Sequence, residues 1–189
     1  MKGTVDIKVK NRHISFSLKL GRNVTVITGD SGTGKTKLIN MIRDYSELGK
    51  SSGVSLVCDR KCIVLEGNNW EKVLDSTSGS VVFVEESTKF INSYDFADAI
   101  QKTDNYYVLV TREPLPQLPY SVDCIMNIEK HGKNPKIVPQ YKNLSVKDIS
   151  KFPYDVIVME DSNSGFQLFE LASEGFGLQC VSAYGKTKI

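Results

Sequence analysis

The stretch that decides the fold is Val24-Thr25-Val26-Ile27-Thr28-Gly29-Asp30-Ser31-Gly32-Thr33-Gly34-Lys35-Thr36. Val24 to Ile27 is a short apolar run, as expected of a strand buried on both faces of a parallel sheet. Gly29 to Thr36 then matches G-x-x-x-x-G-K-[ST] without a departure. Leu38, Ile39, Met41 and Ile42 follow at helical spacing. The pattern therefore stands between a strand and a helix N-terminus, where its chemistry needs it. Glycines let the backbone approach phosphate oxygens with its N–H groups turned inward. The helix N-terminus adds partial positive charge. On that logic Gly29, Asp30, Ser31, Gly32, Thr33 and Gly34 cradle phosphates. Lys35 reaches the β- and γ-phosphates, and the Thr36 hydroxyl binds Mg²⁺.

Upstream, Val5, Ile7 and Val9 alternate with polar residues, and Ile14, Phe16, Leu18 and Leu20 do the same. Lys10-Asn11-Arg12 lies between them, so the chain opens on a half-buried β-hairpin. Downstream, Val54–Val57 and Ile63–Leu65 read as strands on either side of the polar turn Asp59-Arg60-Lys61. Trp70 to Leu74 reads as a short helix. Val81 to Val84 is a second apolar strand, ending in Glu85-Glu86. Four apolar residues and two acids resemble a Walker B pattern. There the first acid holds Mg²⁺ and the second orients an attacking water. The expected roles are Glu85 for the metal and Glu86 for the water. The first acid of that pattern is usually Asp; Glu85 reaches further.

Residues 93–101 carry Phe96, Ala97 and Ile100 at helical spacing, with Ser93 placed to cap them. Tyr106 to Val110 is a third buried strand, ending at Thr111-Arg112. Pro114, Pro116 and Pro119 stiffen the connection that follows. Val122–Ile128 and Lys136–Tyr141 read as a closing hairpin. Its loop, Lys130 to Lys136, is basic, and a solvated turn or a nucleic-acid contact both fit that charge.

Composition frames these motifs. The chain has 189 residues, 40% apolar and 24% charged. At roughly 150 residues per domain that is about one and a quarter domains. Disordered, collagen-like and coiled-coil classes are excluded. The net charge of +2 is too small to announce a nucleic-acid partner by itself. No apolar run approaches the roughly 18 residues of a membrane span. Met1 to Asp6 lacks the apolar core of a signal peptide, so a cytoplasmic protein is expected. The cysteines are Cys58, Cys62, Cys124 and Cys180. A zinc site needs about four ligands. Cys58 and Cys62 have no second close pair, and His13 and His131 are remote in sequence. Free thiols, or a redox pair across the turn at 59–61, are the remaining readings.

With these residues in view, residues 4–141 resemble the ASCE class of P-loop ATPases, the class that includes AAA and ABC-type enzymes. The opening hairpin leading into Val24–Gly29 also resembles the start of RecF and OLD-like ATPase heads. The chain as a whole is similar to short P-loop proteins of Gram-positive bacteria and their mobile elements. The resemblance implies an α/β fold of P-loop NTPase type: a mainly parallel sheet with flanking helices and β-hairpins. It implies that Arg112 or Thr111 senses the γ-phosphate. No N-K-x-D guanine-reading motif is found, so ATP is favoured over GTP. The stretch between Thr36 and Glu85 holds no LSGGQ-type signature.

The expected domains are a P-loop ATPase domain at 1–141, a connector at 142–153 and a βαβ appendage at 154–189. In the appendage, Val156 to Met159 is a strand ending in Glu160-Asp161, and a helix runs through Phe166 to Ala172. Leu178 to Ala183 is a second strand. This unit resembles a truncated half of a Toprim domain, in which the strand-end Glu, here Glu160, handles metal in nucleic-acid cleavage. Its later acid is missing, and Ile189 precedes the strand that would supply a D-x-D pair. One or two acids make a poor two-metal site, so a docking or assembly role is expected instead. The expected function is Mg²⁺-dependent ATP binding and slow hydrolysis driving a conformational or assembly switch. A homo-oligomer or a protein partner would complete the site. The other readings are a nucleotide-gated binding module and an ATPase-linked nuclease.

Overall fold

The computed structural model describes residues 3–129, 132, 134–141, 156–159, 164–175 and 177–182. The chain divides into two compact units, 1–142 and 143–189. The expected connector at 142–153 and the acids Glu160 and Asp161 lie outside the described residues. So do Lys130, His131 and Lys133 of the basic loop.

The first unit is mixed α/β with a mainly parallel central sheet. Its alternating opening forms β1 (Val5–Lys10) and β2 (Ser15–Leu20), paired antiparallel with Val5 opposite Leu20. Each strand buries every second residue, as a sheet with one wet face requires. The apolar run before the glycines forms β3 (Val24–Thr28). Lys35–Leu48 follows as α1, which buries Leu38, Ile39, Met41 and Ile42 on one face.

The two strands flanking the turn at 59–61 do not pair with each other. β4 (Ser55–Val57) adds to β1 in a three-stranded antiparallel sheet, while β5 (Cys62–Val64) opens the central sheet beside β6 (Val81–Glu85). The turn therefore carries the chain from one sheet to another. Two short helices link the parallel strands: α2 (Trp70–Asp75) before β6, and α3 (Tyr94–Gln101) between β6 and β7 (Tyr106–Val110). Ser93 caps α3, its hydroxyl accepting from the Phe96 N–H at 3.1 Å. Beyond the prolines, 122–124 make a turn of 3-10 helix, so the next strand, β8 (Ile125–Glu129), begins later than its apolar sequence suggests. β9 (Lys136–Pro139) returns antiparallel to it.

The central sheet has the order β5-β6-β7-β3-β8-β9, parallel except for β9. Its two faces bury separate apolar layers. Ile27, Phe83, Val108 and Val110 pack with α1 and the three-stranded sheet, through residues such as Leu38, Ile42, Ile7 and Phe16. Val82, Val84, Tyr107 and Leu109 pack with α2 and α3 on the other face. There Trp70 stacks on Phe90 at 5.0 Å and meets Phe96 edge-on at 5.6 Å. Burial on both faces explains the unbroken apolar runs of β3, β6 and β7.

In the second unit, β10 (Val156–Met159) and β11 (Gln179–Ser182) pair in parallel, with α4 (Ser164–Glu174) as their crossover. The Ser173 hydroxyl lies 3.1 Å from Cys180 Sγ. Val156, Val158 and Val181 are exposed.

Candidate functional site

The C-terminal ends of β3, β6 and β7 meet the N-terminus of α1. Ligands of open parallel α/β sheets bind at this edge of the strands. Gly29 leaves β3 with φ at 126°, and Gly34 enters α1 with φ at 113°, conformations that side-chain-bearing residues rarely adopt. The Leu38 N–H bonds the Gly34 carbonyl at 2.9 Å and starts the helix. Thr33 Oγ1 donates to the Asp30 carbonyl at 2.9 Å and braces the loop. Asp30, Ser31, Gly32 and Thr36 are exposed, and Thr33 and Gly34 are partly so.

Lys35 is the exception, only 7% exposed. Its Nζ donates to the Gly29 carbonyl and, at 2.8 Å, to the Asp30 carbonyl. Burial holds this ammonium below the ordinary lysine value, and Arg112 nearby pushes the same way; Glu86 and Asp30 oppose them. Lys35, Glu86 and Arg112 thus share one electrostatic neighbourhood, although they come from three separate elements.

Glu86 follows β6, and its Oε2 accepts from the Arg112 backbone N–H at 3.0 Å. Its Oε1 lies 3.7 Å from Arg112 Nε. The glutamate is therefore tied to the second residue beyond the β7 end. Glu85 closes β6 opposite Val110 and is partly buried. Its charge reaches Arg43, which stands seven residues, about two helical turns, from Thr36 on the same face of α1. Arg43 is itself engaged by Glu66, at 2.8 and 3.2 Å, and by Asn40. None of the hydrogen bonds among the described residues joins Glu85 to Thr36.

Thr111 and Arg112 part company. Thr111 is buried, and its hydroxyl both donates to the Glu113 carbonyl at 3.2 Å and accepts from the Glu113 N–H at 3.0 Å. Arg112 instead lines a cavity of about 390 Å³ with Thr28, Gly29, Asp30, Ser31, Asn127 and Gln140. The last two escape sequence reasoning. Asn127 sits in β8 directly opposite Thr28, and the Thr28 hydroxyl lies 2.6 Å from Gln140 Oε1. Asn127 Oδ1 is buried and has no hydrogen-bond partner among the described residues. The available signal is a lone amide interrupting the apolar run Ile125-Met126-Asn127-Ile128.

A glycine-rich turn at a helix N-terminus with a buried lysine offers N–H groups and one ammonium to an anion. Thr36 and Glu85 offer oxygen donors, the kind a hard divalent cation takes. Among the described residues no group of three or more His, Cys, Asp or Glu could hold a metal ion alone. Such a cation would need further oxygens from phosphate and water, the usual arrangement for Mg²⁺. Among these residues, too, no helix is long and apolar enough to cross a membrane. No family model matches the chain, and no curated protein matches it, so the reading of the site rests on its own chemistry.

Proposed function

We propose that the 1–142 unit is a P-loop NTPase domain of the ASCE type, which binds ATP with Mg²⁺ and hydrolyses it slowly to drive a conformational or assembly switch. The observation that carries this reading is the convergence of the Gly29–Thr36 loop, Glu86 and Arg112 at one edge of a parallel sheet. The strand order supports it: β7 stands between β3, which feeds the loop, and β6, which ends in the acids. That inserted strand is what sets the additional-strand class apart.

In this mechanism the loop N–H groups and Lys35 bind the phosphates, with Lys35 held over the loop by two carbonyls. Thr36 and Glu85 would hold Mg²⁺, which supplies charge neutralisation to the phosphate oxygens. Glu86 orients the attacking water and accepts its proton. Arg112, which lines the cavity beside the loop, senses the γ-phosphate. Thr111, spent in its turn with Glu113, is left a structural part.

Phosphate release tests the assignment. Glu86→Gln should bind ATP as the native chain does and lose turnover by about 100-fold or more, the scale of a removed general base. Equal turnover in the variant takes Glu86 out of its role. One observation favours the second reading, a nucleotide-gated binding module. The Glu86 carboxylate is already engaged by Arg112, so turnover needs that pair to open. If native protein releases no phosphate with DNA, with RNA or at raised protein concentration, yet binds ATP, the binding module is the better account.

A further inference from the structure

Cys58 and Cys62 flank the turn that leads from the three-stranded sheet to the central sheet, away from the site above. Both are free thiols, Cys58 partly exposed and Cys62 buried. Both line one cavity of about 300 Å³, with Tyr45 and Leu56 among its walls. The turn between them is held by hydrogen bonds of its own residues, among them Cys58 Sγ donating to Asp59 Oδ1 at 3.8 Å. The Arg60 N–H donates to Cys58 Sγ at 3.4 Å, and Cys62 Sγ donates to the Arg60 carbonyl at 3.8 Å. The Arg60 guanidinium is anchored in turn, donating to the Gly79 carbonyl at 2.8 Å and lying 4.9 Å from the Tyr106 ring centroid. Both cysteines thereby contact the backbone of one residue and line the same cavity. Burial pushes the Cys62 thiol well above its ordinary range, and the neighbouring Cys58 adds to this by its charge and a side-chain hydrogen bond. Cys58 is the more exposed of the two, so a peroxide reaches its sulfur first.

We propose that Cys58 and Cys62 form an oxidisable dithiol, which hydroperoxides close to an intramolecular disulfide that ties the three-stranded sheet to the central sheet. Cys58 sulfur attacks one peroxide oxygen and the O–O bond breaks. The leaving oxygen takes the thiol proton and departs as water, or as an alcohol from an organic peroxide. Cys58 is now a sulfenic acid. Cys62 sulfur attacks Cys58 sulfur, the S–O bond breaks, and the hydroxide leaves as water with the Cys62 proton. Two thiols give up two electrons and the peroxide accepts them. The reaction needs neither the phosphate loop nor a nucleotide.

The test treats the reduced full-length chain with hydrogen peroxide, alkylates the remaining thiols and maps the tryptic peptides. Trypsin cuts after Arg60 and Lys61, so only a Cys58–Cys62 bond joins peptide 51–60 to peptide 62–72. The expected result is that joined pair, the loss of two of the four alkylatable thiols and recovery of both with dithiothreitol. Cys124→Ser should leave the pair intact, and Cys58→Ser should abolish it. Cys58 found unreacted, oxidised to a sulfinic acid, or joined to Cys124 or Cys180 instead overturns the proposal.

Discussion

At Gly29 a Cβ would stand 2.6 Å from Asn127 Oδ1, and the backbone φ of 126° is itself strained for any side chain. Gly29→Ala should therefore destabilise the protein by about 1–3 kcal/mol, read from the urea midpoint at unchanged slope. Gly21→Ala is the matching control, since none of the described residues lies within 4 Å of its Cβ position, and it should shift stability by no more than about 0.5 kcal/mol. The loop from Gly29 to Thr36 is legible in the sequence because its meaning is local: a fixed spacing between two periodic segments. Asn127 and Gln140 are not. They reach the loop only because β8 lies beside β3, a pairing that puts Thr28 on the Met126 carbonyl from 98 residues away. Nor does sequence separate Thr111 from Arg112. The Glu113 turn that occupies the Thr111 hydroxyl depends on backbone geometry rather than residue type.

Among the elements, α3 shows its own start. The Ser93 hydroxyl meets an N–H that the helix leaves unpaired, so Ser93→Ala should cost about 1 kcal/mol in thermal or denaturant unfolding. Asn105, fully buried, joins the entries of β6 and β7: its Oδ1 accepts from the Ser80 N–H at 2.9 Å and its Nδ2 donates to the Thr77 carbonyl at 2.8 Å. Asn105→Ala leaves those groups without their partner and should cost about 1–3 kcal/mol for each one that stays unsatisfied. The apolar strands of the central sheet are readable because burial on both faces leaves an unbroken run. The destinations of β4 and β5 are not readable. A polar turn between two short apolar runs looks the same whether the chain folds back on itself or crosses to another sheet. Here Lys8 to Lys10 offer β4 a partner, and Val81 to Phe83 offer one to β5.

On the scale of the whole molecule, the first unit closes both faces of its sheet with residues of its own. A fragment of residues 1–142 should therefore fold cooperatively and bind nucleotide as the full chain does; loss of binding in a folded fragment would contradict placing the whole site in that unit. The central claim is that Gly29–Thr36 holds the phosphates of ATP, with Lys35 as the cation that no other loop residue replaces. Calorimetric titration of Mg²⁺–ATP into the native chain and into Lys35→Ala tests it most directly, once circular dichroism shows that both are folded. The account predicts saturable one-to-one binding to the native chain and none to the variant. Equal affinity in the two, or no binding to the folded native chain, would contradict it.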